Sequence, residues 1–461
     1  MFGKGPAKQG LKIIIVGCGK VGATIIEQLC KEGHDITIID NNSSKISEIT
    51  NMYDIMGITG NGASYSVQKM AGIDSADLLI AVTASDELNL LCCTIARQVG
   101  NCSTIARVRT PDYSNEVGYL RDALGLAMII NPELEAAKEA ARILYLPTAL
   151  EVNSFAHGQA EMVKFKIPEG NIMDKMTIAG LGKDIAKNVL ICAVERDGQV
   201  YIPSGNFRLA AGDVISFVAA NTVPKSFLSS IGIKSTPVKN IMIIGGGKVA
   251  FYLASQLTNM GIGIKIIEMD KARCEELSLL LPKAIIINGD GTDQELLREE
   301  GIETVDSFVP LTGIDEENVM LTLFAKQVSH AKVITKINRN TFREVINSLD
   351  LGSVVYPRYI TSEAIIAYVR AKKASQNRNI ETLYHMFDSR VEAIEFYVGE
   401  KSAVTDQTLM ELNLKDNLLI ACINRNGSII IPSGQDSIKV GDTVIIVTTH
   451  TGFSDISDIL K

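Results

Sequence analysis

Two short glycine-centred stretches hold the residue types best suited to gripping an anion. IIIVGCGKVG spans residues 13–22 and IMIIGGGKVA spans 241–250, so Gly17-x-Gly19-x-x-Gly22 is answered by Gly245-x-Gly247-x-x-Ala250. In such a loop the first glycine permits a tight turn off a strand, the second lets the backbone approach a phosphate, and the third lets helix pack close to strand, where alanine also serves. The helix that follows aims its first amides and the positive end of its dipole at the anion. Lys20 and Lys248, one residue past the middle glycine, place a cation where it could meet a phosphate. Asp40 and Glu268 close the next apolar stretch, at the distance of the carboxylate that accepts hydrogen bonds from a ribose diol. A carboxylate there favours a free 2'-hydroxyl, hence NAD(H) over NADP(H). ATP and ADP carry the same diol, so dinucleotide and mononucleotide both remain open.

Proton-transfer chemistry is harder to find. The five histidines (His34, His157, His330, His385, His450) fall in unrelated places and repeat nowhere. Two Tyr-x-x-x-Lys matches, Tyr65 with Lys69 and Tyr368 with Lys372, lack counterparts at equivalent positions and read as chance. The eight cysteines form no Cys-x-x-Cys pair, which suits a reduced cytosolic chain and gives no metal site. A nucleotide site built twice without a catalytic set reads as a sensor. An NAD-dependent oxidoreductase is the alternative.

The elements that must position these residues follow from a duplication. Gly17, Gly19 and Asp40 are answered 228 positions later by Gly245, Gly247 and Glu268; after one inserted residue, Gly62, Asp77, Thr83, Asp86, Glu87 and Asn89 recur at an offset of 229. IPSG at 202–205 returns at 431–434, and Gly212-Asp213 returns as Gly441-Asp442. In the first copy, short aliphatic runs (KIIIVG, DITIID, DIMGIT, ADLLIAVT, STIARV, LAMII) alternate with helical stretches, the pattern of a parallel sheet covered on both faces. A helix over 131–147, closed by Pro147, leaves that sheet. Short strands with turn signals follow, predicting a small α+β lobe. The fold expected is α/β: two Rossmann-like, doubly wound parallel-sheet domains (1–147 and 238–374), each followed by a small α+β C-terminal lobe (148–233 and 375–461), with 234–240 as the linker between copies.

Composition narrows the partners. A net charge of -8 with no basic patch argues against nucleic acid. The N-terminus lacks the apolar core of a signal peptide, and no apolar run approaches the ~18 residues that a membrane-spanning helix needs. The chain is expected to be cytoplasmic, with any membrane role peripheral and no transmembrane segment of its own.

The runs KIIIVGCGKVG, ITIID, GNGAS, ADLLIAVTASDELN, IARVR and LGLAMIINPELEAA together resemble the ligand-binding lobe of RCK (KTN) domains, regulators of potassium channels and transporters. IPSGNFRLAAGDVI and IPSGQDSIKVGDTVII resemble the C-terminal lobe of that family. The resemblance implies a peripheral regulatory subunit with NAD(H), ATP or ADP as regulatory ligands. It implies a homo-oligomer, a tetramer giving a ring of eight RCK units, docked at the inner face of the cell membrane under a membrane-embedded, Trk-type potassium-translocating subunit. By motif match it implies a first site of Gly17, Cys18, Gly19, Lys20 and Val21 on the phosphates, Asp40 on the ribose, then Thr83, Ala84 and Arg107. The second would be Gly245, Gly246, Gly247, Lys248 and Val249, with Glu268, Thr312, Gly313 and Lys336. Asn61 stands where many members carry Asp, whereas the second copy keeps Asp290. Lys336 in place of Arg107 keeps the charge and loses the fork, so the two sites are expected to differ in ligand preference.

Overall fold

The computed structural model describes residues 10–114, 116–182, 188–233, 237–338, 343–373, 380–387 and 389–461. Residues 234–236 of the expected linker and the expected boundary at 374/375 lie outside the described residues. The chain divides into two compact units, Met1–Glu135 with Arg358–Ile366, and Ala136–Pro357 with Ala367–Lys461.

The first unit carries six strands: β1 (Lys12–Val16), β2 (Asp35–Asp40), β3 (Met56–Thr59), β4 (Leu78–Ala81), β5 (Ser103–Arg107) and β6 (Met128–Ile130). All pair in parallel, in the order β3-β2-β1-β4-β5-β6. The strand order reverses direction between β1 and β4, and open α/β sheets bind ligands outside the carboxyl ends of the strands at such a switch point. Ile13 to Val16 and Leu78 to Ala81 are buried throughout, as strands covered on both faces must be. On one face the helix Asp86–Gly100 seats Cys92, Cys93 and Ala96 against Ile14, Val16, Leu79 and Ala81. The helix Lys20–Lys31 buries Val21, Ile25, Ile26 and Leu29, a single apolar stripe at helical spacing. The repeated Asp77 lies at the far end of this sheet, where its carboxylate accepts from the Lys12 amide at 2.8 Å; Asp306 does the same for Lys239 and Asn240.

The second unit opens with β7 (Glu151–Phe155), β8 (Ala160–Lys166), β9 (Val189–Arg196), β10 (Gln199–Tyr201) and β11 (Val214–Ala220). These form an antiparallel sheet in the order β10-β9-β11-β8-β7. The parallel sheet then returns as β12 (Asn240–Ile244), β13 (Gly263–Glu268), β14 (Ile285–Asn288), β15 (Ser307–Pro310), β16 (Lys332–Lys336) and β17 (Ser353–Val355), again with the switch point between its first and fourth strands. Last come β18 (Ile380–Met386), β19 (Val391–Tyr397), β20 (Leu418–Arg425), β21 (Ser428–Ile430) and β22 (Thr443–Thr448), with the strand order of the first antiparallel sheet repeated. The repeated Gly-Asp pairs serve these lobes: buried Asp213 accepts two bonds from Arg196 at 2.7 Å each, and buried Asp442 accepts two from Arg425 at 2.8 and 2.7 Å.

Both antiparallel lobes share one core. Phe155, Met162, Cys192, Ala193 and Val218 pack with Met386, Val391, Ala421, Cys422 and Val447. Phe155 meets Tyr384 edge-on at 5.1 Å, and the Tyr384 hydroxyl donates to the Ser154 carbonyl at 3.2 Å. Beside this core, buried Arg370 holds buried Glu392 with two bonds of 2.9 and 3.0 Å.

Candidate nucleotide sites

Each parallel sheet ends in a loop whose geometry explains its glycines. Gly17 sits at φ +103°, and its amide donates to the Ile39 carbonyl at 2.8 Å, drawing β1 and β2 together at their tips. A Cβ there would lie 3.0 Å from the Thr83 nitrogen, so the loop runs against the end of β4 with no room for a side chain. At Gly22 a Cβ would lie 2.0 Å from the Gly17 carbonyl oxygen, which is the close approach of helix to strand. Gly19 is different. It is the N-cap of the helix Lys20–Lys31, in extended backbone with no side-chain cap, and a Cβ on it meets nothing within 4 Å. The first-turn amides thus have no side-chain cap, and the space at Gly19 is open.

Asp40 closes β2 beside this opening. One carboxylate oxygen accepts from the Cys18 amide at 2.7 Å and the other from Asn42 at 2.8 Å, fixing the group while leaving further lone pairs for a diol. Cys18 is buried, and that burial, reinforced by Asp40, pushes its thiol up to about 12, which makes it an inert wall of the loop.

The far side of the mouth comes from the ends of β4 and β5. Thr83 donates from its amide and its hydroxyl to Asn89 Oδ1, at 2.8 and 2.7 Å, while the buried Asn89 amide donates to the Thr83 carbonyl at 3.3 Å and the Arg107 carbonyl at 2.9 Å. Asn89 is thus a bracket between two strand ends. Asp86 plays a similar part, accepting from the Arg109 and Thr110 amides and from the Thr110 hydroxyl at 2.7 to 2.8 Å. Arg107, 9% exposed, donates to the Thr83 carbonyl, and its Nε has no partner among the described residues. Burial, with Arg109 adding to it, lowers its guanidinium to about 10. Ala84 receives a bond from Arg109. Contacts thus link Gly17 to Thr83, Cys18 to Asp40, and Thr83 to Arg107. Lys20 is the first residue of the helix Lys20–Lys31 and is exposed.

The second copy rebuilds the arrangement. Gly245, at φ +91°, donates to the Ile267 carbonyl at 2.8 Å, and a Cβ on it would lie 3.2 Å from Thr312. Gly247 caps the helix Lys248–Asn259 in extended backbone, again with nothing within 4 Å of a Cβ. Glu268 accepts from the Gly246 amide at 2.6 Å and from Asp270 at 2.8 Å. Where the first copy carries Cys18 the second carries Gly246, with Leu277 Cδ1 2.5 Å from where a Cβ would lie. Val249 and Ala250 are buried under the loop. Asn318 brackets Thr312 and Lys336 as Asn89 does in the first copy, while Gly313 is open on its surface. Lys336 donates to the Leu311 carbonyl at 2.8 Å.

Three features were not read from sequence. Arg109, just past β5, has the neutral Asn338 as its counterpart, and Asn338 bonds to Asp315 at 2.9 Å. Arg273, counterpart of Lys45, donates to the Gly246 carbonyl at 2.7 Å beside the acid. The brackets Asn89 and Asn318 were noted only as repeats. Each could have been found by setting the copies against one another at the fixed offset. Of the Tyr-x-x-x-Lys pairs, Tyr65 is exposed and Lys69 pairs with Asp74 at 2.5 Å.

Comparison with known proteins agrees with the duplication. The TrkA-N domain model matches residues 13–132 and 241–357, and the TrkA-C domain model matches 162–222 and 393–461. The Trk system potassium uptake protein TrkA of Haemophilus influenzae is 32% identical over 440 residues, covering 95% of each chain. A Trk system potassium uptake protein TrkA homolog of Methanosarcina mazei is 32% identical over 460 residues, covering 98% of this chain and all of that one. Among solved structures, the GsuK RCK domain superposes with a TM-score of 0.64 at 17% identity, covering 96% of this chain and 93% of that one. A GsuK channel described as bound to NAD has the same TM-score and identity over 98% of this chain and 79% of that one.

Proposed function

Because the chain belongs to the TrkA family, we propose that it is the peripheral regulatory subunit of a Trk-type potassium-uptake system, setting transport according to the nucleotide it holds. The observation that carries this reading is the repeated mouth: capless helix N-termini at Gly19 and Gly247, each open at its middle glycine and each faced by a fixed carboxylate. Phosphate would lie on the first-turn amides, with Lys20 or Lys248 beside it, and the ribose diol on Asp40 or Glu268. Thr83, Ala84 and Arg107, or Thr312, Gly313 and Lys336, would meet the group beyond the phosphates. NAD(H), ATP and ADP share the ADP moiety that this arrangement suits, and among the similar solved structures GsuK is described as bound to NAD in one and to ADP in another.

A regulatory role in place of a catalytic one is supported by the use of the polar residues at the mouth. Asn89, Asp86 and their counterparts are engaged in holding backbone, not in presenting a proton to a substrate. Bound nucleotide would act by linkage, shifting a two-state assembly by its differential affinity for the two states. A homo-tetramer with eight RCK units, at the cytoplasmic face under a membrane-embedded potassium-translocating subunit, is the assembly proposed. Among the described residues no helix is long and apolar enough to cross a membrane. The test pairs calorimetric titration of NADH, ATP and ADP with potassium uptake in cells lacking the native gene. Nucleotide binding that leaves uptake unchanged overturns the proposal.

A further inference from the structure

The two antiparallel lobes touch through positions that correspond in sequence, and each contact differs between its two sides. Around the first turn of each lobe the offset is 231, so Ala156 answers to Phe387, Gln159 to Arg390 and Lys164 to Glu395. The ladders agree, since Phe155 pairs with Ala160 as Met386 pairs with Val391. Further on the offset is 229, and Glu195 answers to Asn424 and Gly198 to Gly427. Both first turns hold the same backbone, with Ala156 at φ +51° and Phe387 at φ +49°.

On one side buried Glu395 reaches into the first lobe and accepts from the Ala156 amide at 2.6 Å. On the other, Lys164 reaches towards the second lobe, its ammonium 4.4 Å from the centre of the Phe387 ring and 3.6 Å from Glu151 of its own lobe. A carboxylate thus meets a turn whose small side chain leaves the amide within reach, and a cation meets a turn that offers an aromatic face. The next contact is divided in the same way. Arg390 donates to Glu195 and to the Gly198 carbonyl of the first lobe. Its counterpart Gln159 lies against Gly427, with Nε2 3.6 Å from where a Cβ would stand, and the place of Glu195 is taken by the neutral Asn424.

Like lobes would lose these contacts. Two first lobes would set Lys164 against Ala156, where no ring receives it, and Glu195 would meet Gln159 in place of a guanidinium. Two second lobes would set buried Glu395 against the negative face of the Phe387 ring, and Arg390 would meet Asn424. A buried charge deprived of its partner is strongly destabilising, so the unlike pair is favoured over both like pairs.

We propose that these positions make the interface choose its partner: the first lobe fits a lobe that presents a carboxylate, a guanidinium and an aromatic turn, and refuses a copy of itself. The second lobe of the same chain has that chemistry. Lobes that bound copies of themselves would join chain to chain without closing. Unlike lobes, held at high effective concentration by the chain between them, close within it. This choice is independent of nucleotide binding.

The experiment exchanges lobe identity in the full-length chain. One variant carries Ala156→Phe, Gln159→Arg, Lys164→Glu and Glu195→Asn, giving both lobes the residues of the second. Another carries Phe387→Ala, Arg390→Gln, Glu395→Lys and Asn424→Glu, giving both the residues of the first. A third carries both sets and restores an unlike pair with the roles reversed. In each half-exchanged chain, amide hydrogen exchange across β7 and β18 is expected to speed up at least about tenfold. In the fully exchanged chain it is expected to return to within about threefold of wild type, with the carboxylate-protected amide moved from position 156 to position 387. A fully exchanged chain as impaired as the two half-exchanges combined shows residues that merely suit their own lobes and overturns the proposal. Half-exchanged chains that match wild type overturn it as well.

Discussion

Closing a site with Gly19→Asp has consequences on two sides that can be worked separately. On the folding side, Gly19 is the N-cap of the helix Lys20–Lys31, in extended backbone, and a Cβ on it meets nothing within 4 Å. Aspartate is among the preferred N-caps, gaining a few tenths of a kcal/mol over glycine, and a carboxylate at the positive end of a helix adds about 0.3–1 kcal/mol. The variant is expected to melt at or slightly above the wild-type temperature. On the binding side, the new carboxylate occupies the space through which a phosphate reaches the first-turn amides. Two unit charges about 4 Å apart repel by about 4 kcal/mol at an effective dielectric of about 20, before overlap of the groups is counted. That corresponds to a loss of affinity of about a thousandfold. The assay is a thermal melt with and without nucleotide beside calorimetric titration, for Gly19→Asp, Gly247→Asp and the double variant. A double variant that keeps wild-type affinity would place the ligand elsewhere and refute the reasoning. A melting point that falls by several degrees would show that the space at Gly19 is not open.

Other expectations follow from the same geometry. Gly17→Ala forces a Cβ to 3.0 Å from Thr83 at φ +103°, so it is expected to destabilise the first unit by about 1–3 kcal/mol, read as a lower melting temperature. Arg370→Met leaves Glu392 buried without its guanidinium and is expected to cost about 3–5 kcal/mol in chemical denaturation, whereas replacing both residues by apolar ones recovers most of it. Burial, with Lys326 adding to it, lowers the Lys332 ammonium to about 8, against about 10.4 in an unfolded chain. Between those values the unfolded state binds more protons, so stability is expected to rise with pH across roughly 8 to 10, by up to about 3 kcal/mol. Lys332→Met should abolish that rise; an unchanged pH profile counts against it.

The parallel sheets were legible because their strands are buried on both faces and read as unbroken aliphatic runs. KIIIVG and ADLLIAVT can hardly be anything else. Strand β7 was not anticipated, since Glu151, Asn153 and Ser154 interrupt its apolar residues and its partner, β8, lies across a turn. The glycines were legible through their spacing, but spacing does not say which glycine faces a ligand: Gly17 and Gly22 are crowded by backbone, and Gly19 alone of the three is open. Arg109 and Arg273 carry no motif. Each matters only relative to Asn338 or Lys45, a comparison that the duplication makes possible and a single copy would not. The roles of Asn89 and Asn318 depend on contacts between strand ends that lie 18 residues from the asparagine in sequence.

The shared core of the antiparallel lobes shows what one polypeptide can do that two identical ones cannot. In β9 the residues Cys192-Ala193 occupy the places that Ala421-Cys422 occupy in β20, the same pair in reversed order, and all four lie in the common core. In a dimer of identical chains every residue near the axis is present twice, so a larger side chain enlarges both halves at once. Once the halves are joined, each position mutates alone, and a gain in volume on one side can be met by a loss on the other. The same release from symmetry is what lets one copy carry Arg109 where the other carries Asn338, two versions of one mouth kept in fixed one-to-one proportion by a single chain.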